Sequence, residues 1–160
     1  MLIAFFVAYS LFASASASAY CGRITHLFER KCTSAPFTME GQPLVLEFYE
    51  SHWRCQNGGE NFEAGADLSA LNRRGQRDLI ARRVADDNVT KPQSTYHLNV
   101  NSLESAYKAN PMEARVLSVN DTAAKIKFSS TINEIDGKNV KKPIEIKDLT
   151  IDLACKSVRH

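Results

Sequence analysis

Charge of one sign is scarce in this sequence, and so are the arrangements that build catalytic or metal centres. Twenty Lys and Arg against 18 Asp and Glu leave a formal net charge of +2 over 160 residues, too little to recruit nucleic acid by charge. No two cysteines are spaced Cys-x-x-Cys, and only His52-x-x-Cys55 brings two candidate ligands close, so no metal site is expected. No Gly-x-Ser-x-Gly segment is present, and none of His26, His52, His97 and His160 stands in the context of an activated Ser or Cys. The phase of its strand points His97 outward, whereas His26 falls on an apolar phase and reads as a satisfied core histidine. Glu47 and Glu50 flank Tyr49 but lie on opposite strand phases, so they read as solvated acids and not as a glycosidase pair. These absences predict no catalytic residues and no cofactor.

Long apolar runs are also missing after residue 19, so no membrane span is expected in the remaining chain. The first 19 residues are different. Leu2 to Phe12 is an apolar run of signal-peptide length, and Ala13-Ser-Ala-Ser-Ala-Ser-Ala19 supplies small-x-small cleavage sites. The segment 1–19 reads as a secretory signal peptide, although a basic start is lacking. Residues 20–160 then form a single secreted β domain in an oxidising, extracellular setting.

Period-two alternation dominates that domain. In Pro143 to Cys155, Ile144 and Ile146 share one phase, while Leu149, Ile151, Leu153 and Cys155 share the other. The slip at Lys147-Asp148 predicts a β-bulge or a break between two strands. Cys21 to Cys32 reads as the first strand, with Ile24, His26, Phe28 and Cys32 in phase. Thr33 to Pro43 reads as a connection. Leu44 to Glu50 is the clearest strand, facing Leu44, Leu46 and Phe48 inward, and Ser51 to Glu60 reads as a loop held at Cys55. Over 67–87 two periods compete. Leu68, Leu71, Gly75 and Leu79 suit a helix face, whereas Leu79 to Val84 suits a strand, the reading its neighbours favour. Tyr96 to Asn101 alternates with Tyr96, Leu98 and Val100 inward, and Leu103 to Asn110 suits a short helix ended by Pro111. Ala114 to Phe128 reads as a hairpin turning at Asn120-Asp121 through positive φ, and Asp136-Gly137 makes a further turn. The chain is therefore mostly β: an antiparallel β-sandwich of about six to eight strands, or a small barrel, with at most one or two short helices.

Four cysteines, Cys21, Cys32, Cys55 and Cys155, suit two disulfides and allow three pairings. Inward, in-phase positions favour Cys32 with Cys155, which leaves Cys21 with Cys55. The densest charge feature is Arg73, Arg74, Arg77, Arg82 and Arg83, with Asp78 as the only acid among them. Such a run is a solvated face, a binding patch for an anion or sulfated glycan, or, at Arg73-Arg74, a processing site. Asn88-Val-Thr90 and Asn120-Asp-Thr122 are N-glycosylation sequons placed at loops or turns.

From Cys32 to about Leu103 the order of features resembles the secreted transthyretin-like proteins of nematodes and related small secreted families. Gln42-Pro43-Leu-Val-Leu-Glu-Phe-Tyr-Glu50, Asn61-Phe-Glu-Ala-Gly65 and Tyr96-His-Leu-Asn-Val100 carry the resemblance. Ser51-His-Trp-Arg-Cys55 replaces the usual acidic run, and the C-terminal third is extra. The resemblance implies an extracellular sandwich and assigns no site residue. The functional expectation is a disulfide-stabilised extracellular protein that binds a protein or glycan without catalysis. The alternatives are a barrel carrying a small apolar ligand in an internal cavity, or a secreted hydrolase gathering two or more of His26, His52, Glu47 and Asp67 in one cleft.

Overall fold

The computed structural model describes residues 21–99 and 108–160. The expected leader, Val100 and most of the helix expected from Leu103 lie outside the described residues. Every regular element described is a strand: β1 (Ile24–Ser34), β2 (Phe37–Met39), β3 (Gln42–Cys55), β4 (Glu60–Leu71), β5 (Arg77–Val84), β6 (Tyr96–Leu98), β7 (Met112–Val119), β8 (Ala123–Ile135) and β9 (Lys138–Arg159). They form one antiparallel sheet in the order β5-β4-β3-β1-β9-β8-β7-β6, with β2 paired to β3. The sheet curls into a half-barrel, bringing β5 against β7 and β8. Its two halves face each other across the core as the layers of a sandwich do.

Alternating side chains fill that core. Leu44, Leu46 and Phe48 of β3 are fully buried, as expected, and meet Ala66 and Leu68 of β4 and Ile126 and Phe128 of β8 in one cluster. The period of two explains most strand positions, and two departures from it are bulges. At Lys147-Asp148 the register steps from Phe128↔Leu149 to Ser130↔Ile146. Asp148 takes a φ of 47° and donates its N–H to Ser129 Oγ at 2.9 Å. The bulge keeps Ile146 and Leu153 on the inner face although they are out of phase. A second irregularity at Leu68/Ser69 lets Ile80 and Ala81, which are consecutive, both point inward.

Several local expectations are corrected. The helical spacing of Leu68, Leu71, Gly75 and Leu79 comes from a hairpin: the first two lie on β4, Gly75 sits in the turn with a φ of 74°, and Leu79 to Val84 is strand, the favoured reading, as part of β5. The connection Thr33 to Pro43 contains β2, which raises the count to nine. The loop expected at Ser51 is strand through Cys55. A register shift between His26 and Phe28 takes His26 and Ile24 off the inward phase, so His26 is exposed instead of buried. The Asn120-Asp121 turn exists without positive φ. Asn120 Oδ1 accepts the Thr122 and Ala123 N–H groups at 2.9 Å each and so bends the chain itself.

Both disulfides are formed. Cys32 and Cys155 are direct cross-strand neighbours on β1 and β9, with Cα atoms 3.9 Å apart, and Cys21 bonds Cys55. Where the curled sheet meets itself, the buried Asn110 spans the gap. Its Nδ2 donates to the Ile80 and Glu134 carbonyls at 2.8 Å each, and its Oδ1 accepts the Asn133 and Glu134 N–H groups at 2.7 and 2.9 Å. Arg83 Nε also crosses to the Met112 carbonyl.

One buried polar knot overturns the solvated reading of Glu50. Glu50 continues the inward phase of β3 and is 2% exposed. Arg30, inward on β1, donates to Glu50 Oε2 at 2.7 Å, to Ser157 Oγ at 3.2 Å and to Asp121 Oδ1 at 3.1 Å. Tyr96 donates its hydroxyl to Glu50 and accepts the Gln93 N–H at 2.6 Å. Burial pushes the Glu50 carboxyl up, and the donors Tyr96 and Arg30 pull it partly back. Removing one partner of such a pair strands a buried charge. Arg30→Met is therefore expected to cost about 3–5 kcal/mol, and adding Glu50→Leu is expected to restore most of it. Urea unfolding of both single variants and the double variant checks this. Purely additive losses would contradict it.

Candidate anion-binding end

Asn72 shapes the tip of the β4–β5 hairpin. Its Oδ1 accepts the N–H groups of Arg74 and Gln76 at 2.8 and 3.0 Å, and its backbone N–H donates to Gln76 O at 3.0 Å. Gly75 supplies the left-handed φ of 74° that closes the turn. Arg73 and Arg74 project from this braced tip, exposed and without a side-chain partner among the described residues.

The other three arginines of the run are engaged elsewhere, so the five do not form one patch. Arg77 pairs with Glu47, which also meets Lys31 at 3.2 Å. Arg82 grips Asp67 with two hydrogen bonds of 2.7 and 2.6 Å. Arg83 turns to the Met112 carbonyl, as described above. Arg82 and Asp67 are cross-strand neighbours on the outer face of the sheet, and Glu47 lies opposite Asp67 on the next strand. On the same face Tyr49 lies across Gly65, where an added Cβ would come within 2.5 Å of the Tyr49 hydroxyl oxygen.

A cleft of about 730 Å³ opens beside the tip, lined by Arg73, Arg77, Gln42, Asn72, Ile135 and Asp136, among others. Gln42 and Ile135 also line an adjoining cleft of about 360 Å³ that carries Lys141, Lys142 and Glu40. Two hairpin tips thus meet at one end of the half-barrel: β4–β5 with Arg73 and Arg74, and β8–β9, which turns at Asp136-Gly137 through positive φ as expected. Asp78 and Asp136 fix their approach, the Asp136 N–H donating to Asp78 Oδ2 at 2.6 Å. Sequence reasoning assigned no role to Lys141 and Lys142, because only the fold sets their cleft next to the one that Arg73 lines.

Two of the four side chains of the hydrolase reading, Glu47 and Asp67, do meet in one cleft on the outer face. They are cross-strand partners and share the cleft with Lys31, Tyr49, Glu63 and Arg82. His26 and His52 do not join them: they pair with Glu29 at 3.4 Å and Glu60 at 3.3 Å. Burial alone would raise the Glu47 carboxyl, but the hydrogen bonds and charges of Arg77 and Lys31 outweigh it and hold the group below its ordinary range. A general acid needs the opposite shift. The geometry is that of an ion-pair ladder across strands. Both sequon asparagines, Asn88 and Asn120, are exposed. Among the described residues no helix is long and apolar enough to cross a membrane.

Because the Glu47 carboxyl is depressed on folding, its contribution is present above the ordinary carboxylate range and lost as pH falls through the lowered value. Glu47→Gln is expected to destabilise the protein by on the order of 1 kcal/mol at pH 7. The difference from the parent should shrink between pH 7 and pH 3. Thermal unfolding at the two pH values checks this, and a loss independent of pH would contradict it.

Comparison with protein families, with curated proteins and with solved structures finds no match, so the transthyretin-like resemblance rests on the residues that carry it.

Proposed function

We propose that this chain is an exported, non-catalytic binding protein whose cationic end engages a sulfated extracellular glycan. Export is supported by the apolar run Leu2 to Phe12 with its Ala/Ser cleavage region, and by two disulfides, which suit an oxidising compartment. The binding assignment is carried by one observation. Arg73 lines an open cleft next to Arg74 on a turn braced by Asn72, with Lys141 and Lys142 in the adjoining cleft.

The chemistry suits a sulfate-bearing chain. Guanidinium forks match the geometry of oxyanions, and lysines add adaptable point charge. A rigid turn lowers the entropic cost of presenting the two arginines. An extended polyanion can lie along the groove between the tips, its charged groups reaching both hairpins. Leu71, Pro43 and Ile135 offer apolar wall to the faces of sugar rings. The filled interior favours this reading over a hollow carrier: Phe48, Phe128, Leu44, Leu46 and Ile132 occupy the space an apolar ligand would need. The locked state of Glu47 and Asp67 favours it over hydrolysis. On the same reading the exposed sequon at Asn120 carries an N-linked glycan.

Heparin chromatography of the disulfide-intact protein tests the binding assignment. Retention is expected in the parent, with elution at clearly lower salt for Arg73→Ala plus Arg74→Ala and for Lys141→Ala plus Lys142→Ala. Arg82→Ala, which alters charge on the outer face of the sheet, should change elution less. A parent protein that flows through, or three variants that lose retention equally, would overturn it.

A further inference from the structure

At the opposite end of β4 from the arginines, the strand outruns its neighbour. β5 pairs with β4 only as far as Val84↔Gly65, and the last link is the Ala85 N–H donating to Ala64 O at 2.8 Å. Backbone groups alternate sides along a strand. Phe62 therefore presents its N–H and C=O to the same edge as Ala64 O, and no described strand covers that edge there. The chain turns away instead, the Val89 N–H donating to Asp86 O at 3.0 Å. Elsewhere the protein blocks the outer edge of β5: Asn110 caps Ile80 O, and Arg83 crosses to Met112. The open stretch at Phe62 is an exception to the usual covering of strand edges.

A notch of about 330 Å³ lies along this edge. Trp53, Phe62, Val84 and Val89 form apolar walls, and Glu63, Asp86 and Asp87 bring three carboxylates, with no Lys or Arg in the lining. Asp86 Oδ1 is buried and accepts no hydrogen bond from the described residues. An unmet acceptor of that kind is costly, and a donor entering beside it would relieve the cost.

We infer that this notch receives an extended, basic segment of a partner protein, which adds to the Phe62 edge as a short strand in line with β5. The main-chain groups of Phe62 supply the pairing. Side chains on one face of the incoming segment meet Phe62, and those on the other face meet Trp53 and the Glu63 carboxylate beside it. The site is independent of the cationic end and of opposite charge, so the two can be occupied together.

Trp53 is the single tryptophan of the chain and reports directly on the notch. The probe is the capped peptide Lys-Val-Lys-Val-Lys, titrated against the disulfide-intact protein by fluorescence. Two N-methylated forms are compared, one blocked on each peptide edge, with Glu-Val-Glu-Val-Glu and free lysine as controls. A saturable Trp53 shift is expected with the basic peptide. Loss of two backbone hydrogen bonds should weaken one methylated form about tenfold and spare the other. Asp86→Asn plus Asp87→Asn should weaken binding without changing the circular dichroism spectrum. The inference is overturned by no saturable shift, by indifference to methylation on either edge, or by an equal response to free lysine or the acidic peptide. A Trp53 shift that follows protein concentration without peptide would assign the edge to a second copy and also overturn it.

Discussion

The pairing of the first strand with the last is the constraint on which the architecture depends. Without the β1–β9 seam the sheet order divides into two four-strand ribbons, β5-β4-β3-β1 and β9-β8-β7-β6. Each ribbon would have one oily face and nothing to fold it against. The seam runs from Phe28↔Arg159 to Ser34↔Leu153, and Cys32 and Cys155 face each other within it, 123 residues apart in sequence. Contacts so distant are costly to close, and in the chain-entropy account a covalent link across such a loop contributes on the order of 5 kcal/mol. The Arg30 knot lies beside the same seam, tying β1 to β3 through Glu50, to β9 through Ser157 and to the β7–β8 turn through Asp121.

That frame explains where binding features can sit. The strand faces are spent: the inner one on the core, much of the outer one on cross-strand pairs such as Arg82–Asp67 and Lys127–Asp148. What remains are the strand ends. At one end two hairpins bring together cations that lie far apart in sequence. At the other, β4 extends past β5, and no described strand covers its edge beside the carboxylates. A staple through the middle of the sheet keeps both ends in fixed geometry, so neither needs its own core.

How far the chain could be read before folding follows from the range of each interaction. Strands with strict alternation, such as Leu44-Val-Leu-Glu-Phe48, were legible because the pattern is local. So were the Lys147-Asp148 bulge, the Asp136-Gly137 turn and the inward sulfurs of Cys32 and Cys155. Glu50 was half legible: it continues the phase of Leu44, Leu46 and Phe48, but its charge argued for solvent until Arg30 was placed opposite. His26 misled because the irregularity before Phe28 shifts its phase, and local sequence does not announce that shift. The arginine run misled most. How its members are engaged depends on Glu47, Asp67 and the Met112 carbonyl, partners that only the folded sheet brings near.

Disulfide mapping tests the central seam most directly. The intact protein is digested without reduction, and linked peptides are identified by mass spectrometry. The account expects the peptide containing Cys32 to be recovered bonded to the one containing Cys155. Free thiols, or Cys32 joined to Cys21 or Cys55, would contradict the seam and the architecture built on it.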